Sequence, residues 1–151
     1  MQKLISTLAV LTFAGTLLAQ SPFVGTWKLD TAKTKYTAGD PPKDVTLVIE
    51  EQGENLQLAA TGSYADGSPI SVKYTIPTKG GVAQVQAGPH DAITSKTVGP
   101  NVRENSYSKD GKQVASRRIV ISKDGKTMRA TIKGMNAAGQ TVAGTETYQK
   151  Q

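Results

Sequence analysis

Ala65-Asp66-Gly67-Ser68-Pro69-Ile70-Ser71-Val72-Lys73-Tyr74-Thr75-Ile76 decides the fold. Ile70, Val72, Tyr74 and Ile76 alternate with Ser71, Lys73 and Thr75, and a period of two over this length is the signature of a strand with one buried face. The Asp-Gly ahead of it supplies the positive φ that a tight hairpin turn requires. The same pairing of turn and alternation recurs on both sides. Val45, Leu47 and Ile49 share a face opposite Thr46, Val48 and Glu50, and Met128, Ala130 and Ile132 alternate with Thr127, Arg129 and Thr131. Further turn signals stand at Gln52-Gly53, Gly80-Gly81, Asp110-Gly111, Asp124-Gly125 and Gly139.

About ten strands follow, near 23–29, 44–51, 55–63, 69–76, 82–87, 92–98, 102–108, 113–122, 127–133 and 141–149. No segment carries a 3.6-residue apolar stripe. The expectation is an all-β, antiparallel up-and-down meander that closes into a barrel, because closure alone removes exposed sheet edges. The segment from Asp30 to Lys43 reads as an ordered loop or short cap. Ser-Lys-Asp-Gly-Lys occurs twice, at 108–112 and 122–126, and reads as one hairpin-turn solution used twice.

The first residues set the compartment. Lys3 precedes an apolar run from Leu4 to Ala19, interrupted by Ser6, Thr7, Thr12, Gly15 and Thr16. A positive charge, a short apolar stretch and a small final residue make a secretory signal. A spanning helix needs roughly 20 predominantly apolar residues. Cleavage after Ala19 is expected, leaving residues 20–151 as a single domain exported to the periplasm or the medium. The chain has Cys 0, which rules out disulfides, thiol nucleophiles and a lipidated cysteine. Its formal charge of +6 is spread along the chain, and aromatics make up only 5%. Nucleic-acid binders concentrate such charge and interleave aromatics with it, so nucleic acid is not an expected partner. A membrane barrel would need a continuous apolar band with aromatic girdles. Here one Trp and many alternating Lys, Arg and Glu argue against it.

Candidates for chemistry are few. His90, the single His, lies in the turn-like string Gly88-Pro89-His90-Asp91. Serine catalysis would need it as base with an acid to orient it, and the adjacent Asp91 has the wrong geometry. Zinc would need carboxylates alone. Asp66, Asp91, Asp110 and Asp124 fall in turns, where Asp bonds its own backbone. No phosphate-cradling glycine loop precedes a helix. The expectation is no enzyme, no metal and no cofactor.

Pro22-Phe23-Val24-Gly25-Thr26-Trp27-Lys28-Leu29 resembles the opening of intracellular fatty-acid-binding proteins and contains the Gly-x-Trp of lipocalins. Both belong to the calycin group of ligand-binding barrels. Thr145-Glu146-Thr147-Tyr148-Gln149-Lys150 is similar to the fatty-acid binders' closing Thr-Arg-x-Tyr-Glu-Lys. The chain also resembles small exported bacterial proteins that open with Gly-Thr-Trp-Lys-Leu. The resemblance implies that Trp27 plugs the barrel floor, with Gly25 admitting a neighbouring backbone and Lys150 packing over the ring. It implies that Tyr148 faces the cavity. Three departures matter. About a dozen residues separate Leu29 from the next strand, too few for the family's two-helix lid. The carboxylate-reading Arg of the last strand is replaced by Glu146. The second family Arg corresponds in spacing, six residues after Lys112, to Arg118. If Arg118 and Glu146 both point inward, they form a charge pair, and a ligand carboxylate would be repelled by Glu146. A neutral or cationic amphiphile would then be easier to hold. Alternatively, both lie on the outer face as solvated charges.

The reading is therefore a monomeric, exported, non-enzymatic protein holding a small hydrophobic or amphipathic molecule, with Arg118, Glu146 and Tyr148 lining its site. The alternative is a ligand-free structural or interaction module of the cell envelope with a filled barrel.

Overall fold

The computed structural model describes residues 20–136 and 139–151, so the expected leader, residues 1–19, lies outside the described residues. The described chain is strand and turn throughout. Its strands are β1 (Gly25–Leu29), β2 (Lys35–Ala38), β3 (Asp44–Gln52), β4 (Asn55–Ser63), β5 (Pro69–Pro77) and β6 (Gly80–Val82), then β7 (Gln84–Ala87), β8 (Ala92–Gly99), β9 (Val102–Lys109), β10 (Lys112–Ile121), β11 (Thr127–Met135) and β12 (Thr141–Lys150). Every pairing is antiparallel, and the sheet runs β6-β8-β9-β10-β11-β12-β1-β3-β4-β5-β7. The two ends of that order, β6 and β7, flank Ala83 in one stretch of chain, and the sheet curls into a nearly closed barrel.

All ten expected strands are present, and the structure has two more. The expected strand at 82–87 divides at Ala83, whose amide donates to the Ile93 carbonyl at 2.8 Å. Before it the chain pairs with β8, and after it with β5. The second addition is β2, inside the segment expected to be a loop. It pairs with Ala143–Thr145 of β12, end to end with β1, which takes Tyr148–Lys150 of the same edge. Between them the turn at residues 30–34 folds over the outside of β12. There the Thr147 amide donates to Thr34 Oγ1 and the Thr147 hydroxyl to the Lys33 carbonyl, which buries an outward-facing residue.

The repeated Ser-Lys-Asp-Gly-Lys string does not make the same turn twice. At the first copy Lys109 pairs directly with Lys112, and Asp110 and Gly111 both take positive φ, 51° and 72°, as a two-residue type I′ hairpin requires. At the second copy the strands rejoin further out, with Gly125 N bonded to the Ser122 carbonyl and Asp124 Oδ1 accepting from Ser122 Oγ and Lys126 N. The flanking register, not the string, selects the turn.

Alternate side chains point into the barrel. Trp27, Tyr148, Leu56, Ile93 and Met128 are among the most buried, while Lys28, Lys73, Arg129 and Lys133 lie on the outer face. Among the described residues no helix is long and apolar enough to cross a membrane. The floor is built on Trp27, fully buried, whose indole N–H donates to the Phe23 carbonyl at 2.9 Å. Lys150 Nζ stands 5.1 Å from its ring centroid. Gly25 makes room for that lysine and not for a backbone, contrary to expectation. A Cβ there would sit 2.5 Å from Lys150 Cε, and the residue's φ of 137° disfavours any side chain. At the opposite end, Asp40, Pro42, Tyr64, Pro89 and His90 ring the mouth.

Candidate functional site

The interior holds a cavity of about 160 Å³. Its apolar wall comes from the inward positions of β3, β4 and β5 (Val45, Leu47, Ile49; Leu56, Leu58, Ala60; Ile70, Val72, Ile76), completed by Ile119, Met128, Ala130 and Ile132. All five tyrosines of the chain, Tyr36, Tyr64, Tyr74, Tyr107 and Tyr148, line it as well.

One polar cluster is centred on Glu146, which is 1% exposed on β12. Its carboxylate accepts from the Tyr36 hydroxyl and from the Tyr148 hydroxyl, each at 2.6 Å, and Arg117 Nη1 lies 3.3 Å away. Each partner comes from a different place in the fold. Tyr148 stands one pleat beyond Glu146, β2 brings Tyr36 to the edge of β12, and Arg117 reaches across β11, where Ala130 is the cross-strand neighbour of Glu146. Burial first, and then the charge of Glu146, push both phenols well above their ordinary range, so they stay protonated as donors. Burial works against the charge of Arg117. The facing Glu146 and the surrounding tyrosines outweigh it, and the guanidinium is held firmly as a cation. The carboxylate thus has two hydroxyl donors and a cation around it and is 1% exposed, whereas Arg117 keeps about a third (34%) of its side-chain surface accessible.

A second polar group runs up β9, where Arg103, Asn105 and Tyr107 share the inner face. Arg103 is 3% exposed and donates to Ser95 Oγ and the Thr78 carbonyl, with its guanidinium carbon 5.4 Å from the Phe23 ring centroid. Asn105 is the cross-strand partner of Arg117. Asn105 Oδ1, Arg103 Nε and Thr78 Oγ1 are buried without a hydrogen-bond partner. Asn105 Nδ2 donates to the Tyr107 hydroxyl at 3.4 Å, and His90 lies 4.9 Å ring to ring from Tyr107 at the mouth. Burial, then the charge of Arg117, lowers the pKa of His90, so it is neutral at pH 7. The neighbouring Asp91 is bonded elsewhere, its Oδ2 accepting from the Asp110 amide at 2.6 Å. Among the described residues no three His, Asp or Glu side chains converge as a metal would require.

The structure places Glu146 and Tyr148 on the cavity lining and packs Lys150 against Trp27 and Gly25 at the end of the barrel below it. Arg118 is a correction: it lies on the outer face, half exposed, paired with Glu104. Arg117 occupies the inward place instead. The cause is a bulge in β10 between Gln113 and Ala115, which sets Val114 out of register and reverses the parity of everything after it. Six residues counted from Lys112 therefore end on the wrong face. Sequence reasoning also missed Arg103, Asn105 and Tyr36. For the first two a signal existed, because Arg103, Asn105 and Tyr107 alternate with Glu104, Ser106 and Ser108. A strand whose inner face is polar is invisible to a search for apolar alternation. Set against models of known protein families and against curated proteins, the chain has no match in either.

Proposed function

We propose that the chain is an exported, non-enzymatic binding protein of the calycin kind, a monomer that holds a small hydrophobic or amphipathic molecule inside its barrel. The observation that carries this reading is the cavity itself: apolar on the β3–β5 side, and provided on the other with a guanidinium that has donors to spare. A pocket of apolar walls with a few fixed polar groups is what a small-molecule site needs. Glu146, tied to Tyr36, Tyr148 and Arg117, positions that guanidinium. Arg117 thus takes the part that spacing gave to Arg118. At roughly 10–15 Å³ of such space for each water, the volume suits a compact molecule of about ten heavy atoms, well short of a long-chain lipid.

The rival reading, a ligand-free envelope module, calls for a filled barrel, and the open interior weighs against it. The charged outer face of Lys28, Lys73, Arg129 and Lys133 supports a protein surrounded by water, in keeping with the export expected from residues 1–19.

Native mass spectrometry of protein purified from the exported fraction of its own host tests this. The expected result is a stoichiometric adduct of a few hundred daltons or less, lost on unfolding. Purification from the cytosol at full precursor length, with no adduct and no response to a panel of small apolar probes, would contradict it.

A further inference from the structure

The buried lining of the cavity carries an unbalanced charge. Arg117 is matched by Glu146 at 3.3 Å. Arg103 has no carboxylate among its partners: its guanidinium meets a serine hydroxyl, a backbone carbonyl and an aromatic ring, all neutral. The other charged groups of the lining sit at the mouth, where Asp40 is exposed and His90 is half-buried and neutral. Two guanidiniums and one carboxylate leave one positive charge in excess among the inward-facing groups below the mouth. A buried cation without a counter-ion is costly, and the structures that keep one generally bring an anion to it. The orphaned atoms point to the same place. Arg103 Nε is a donor without an acceptor, and one pleat further along β9 Asn105 Oδ1 is an acceptor without a donor.

We infer that the cavity selects a compact organic anion, whose acidic group is held by Arg103 on the floor side of β9 and whose neighbouring hydroxyl or N–H meets Asn105. This rests on the binding reading above and sharpens it. It also reverses the neutral or cationic preference expected from Glu146, because Tyr36, Tyr148 and Arg117 already satisfy that carboxylate. Arg103 is thus the cation left to meet the ligand's charge, because Glu146 already neutralises that of Arg117.

The test uses three probes with one body and different heads, 3-phenylpropanoate, 3-phenylpropanol and 3-phenylpropylammonium, titrated calorimetrically into residues 20–151 at neutral pH. The carboxylate is expected to bind about tenfold or more tighter than the alcohol, and the ammonium weakest. Arg103→Met should bring carboxylate and alcohol to within about twofold while leaving the alcohol's affinity unchanged. Arg118→Met, on the outer face, should change neither. Equal affinities for the three heads in the unmodified protein, or a preference for the ammonium, would overturn the charge inference and leave the binding reading standing. A carboxylate preference that survives Arg103→Met would overturn the role of Arg103. Failure of all three probes to bind would overturn both readings. If Arg103→Met does not fold, the ranking in the unmodified protein still decides the charge preference.

Discussion

At the scale of single residues, the pair at 117–118 separates the two kinds of charge in this barrel. Both are arginines with a glutamate partner, but Glu146 is 1% exposed and Glu104 lies on the surface. Removing one member of a buried pair strands the other in apolar surroundings, whereas exposed pairs contribute at most about 1 kcal/mol. Glu146→Ala should therefore cost about 3 kcal/mol or more in urea unfolding, and Glu104→Ala less than about 1 kcal/mol. Equal costs would mean that the buried cluster contributes no more than a surface pair. Gly25 makes a second point. Its φ of 137° and the 2.5 Å approach to Lys150 Cε imply that Gly25→Ala costs about 1–3 kcal/mol and shifts Trp27 emission as the lysine leaves the ring.

At the scale of elements, the meander was legible because each half-buried strand carries its period of two and each hairpin its Gly. What escaped was local. β2 is four residues long, and Tyr36 and Ala38 are too short an alternation to stand out as a strand. It forms because β1 stops short of the end of β12 and leaves an edge to pair with. Gly144 permits that approach, since a Cβ there would lie 2.5 Å from the Tyr36 ring and 2.6 Å from the Lys35 carbonyl. Gly144→Val should detach β2 and release Tyr36 from Glu146. Hydrogen exchange would then rise at residues 35–38 while β9–β11 stay protected. The bulge in β10 is the other element that no spacing rule anticipates. It moves the site from Arg118 to Arg117, and the polar inner face of β9 hid Arg103 and Asn105 in the same way. Deleting Val114 would remove the extra residue while leaving Gln113 opposite Ser108 and Arg117 opposite Asn105, so strict alternation returns with Arg117 still inward and Arg118 still outward. The Glu146 cluster should survive, and the loss in urea unfolding should stay within about 3 kcal/mol. A loss above about 5 kcal/mol, as an inverted strand face would give, would show that the bulge does not set parity in this way.

At the scale of the whole molecule, the barrel encloses a chemistry its outer face does not share. Its five tyrosines all line one cavity, and burial raises the pKa of Tyr36, Tyr74 and Tyr148 above the ordinary value near 10. The folded state thus holds these protons more tightly than the unfolded chain does. The associated stability is fully present below the unfolded tyrosine pKa of about 10 and is lost as pH rises beyond it. The urea midpoint should be level between about pH 8 and 9 and fall above about 10, and a midpoint that rose there would contradict the arrangement.

The central claim is that a small molecule enters this barrel. It is tested most directly by methyl NMR of residues 20–151 titrated with 3-phenylpropanoate. Shifts confined to the inward methyls of Leu58, Ile70, Val72, Ile119 and Ile132, with the exposed Val48, Val82 and Val120 unmoved, are the predicted result. Shifts at Val48, Val82 and Val120 with the inner set silent would place binding on the outer face and contradict the account.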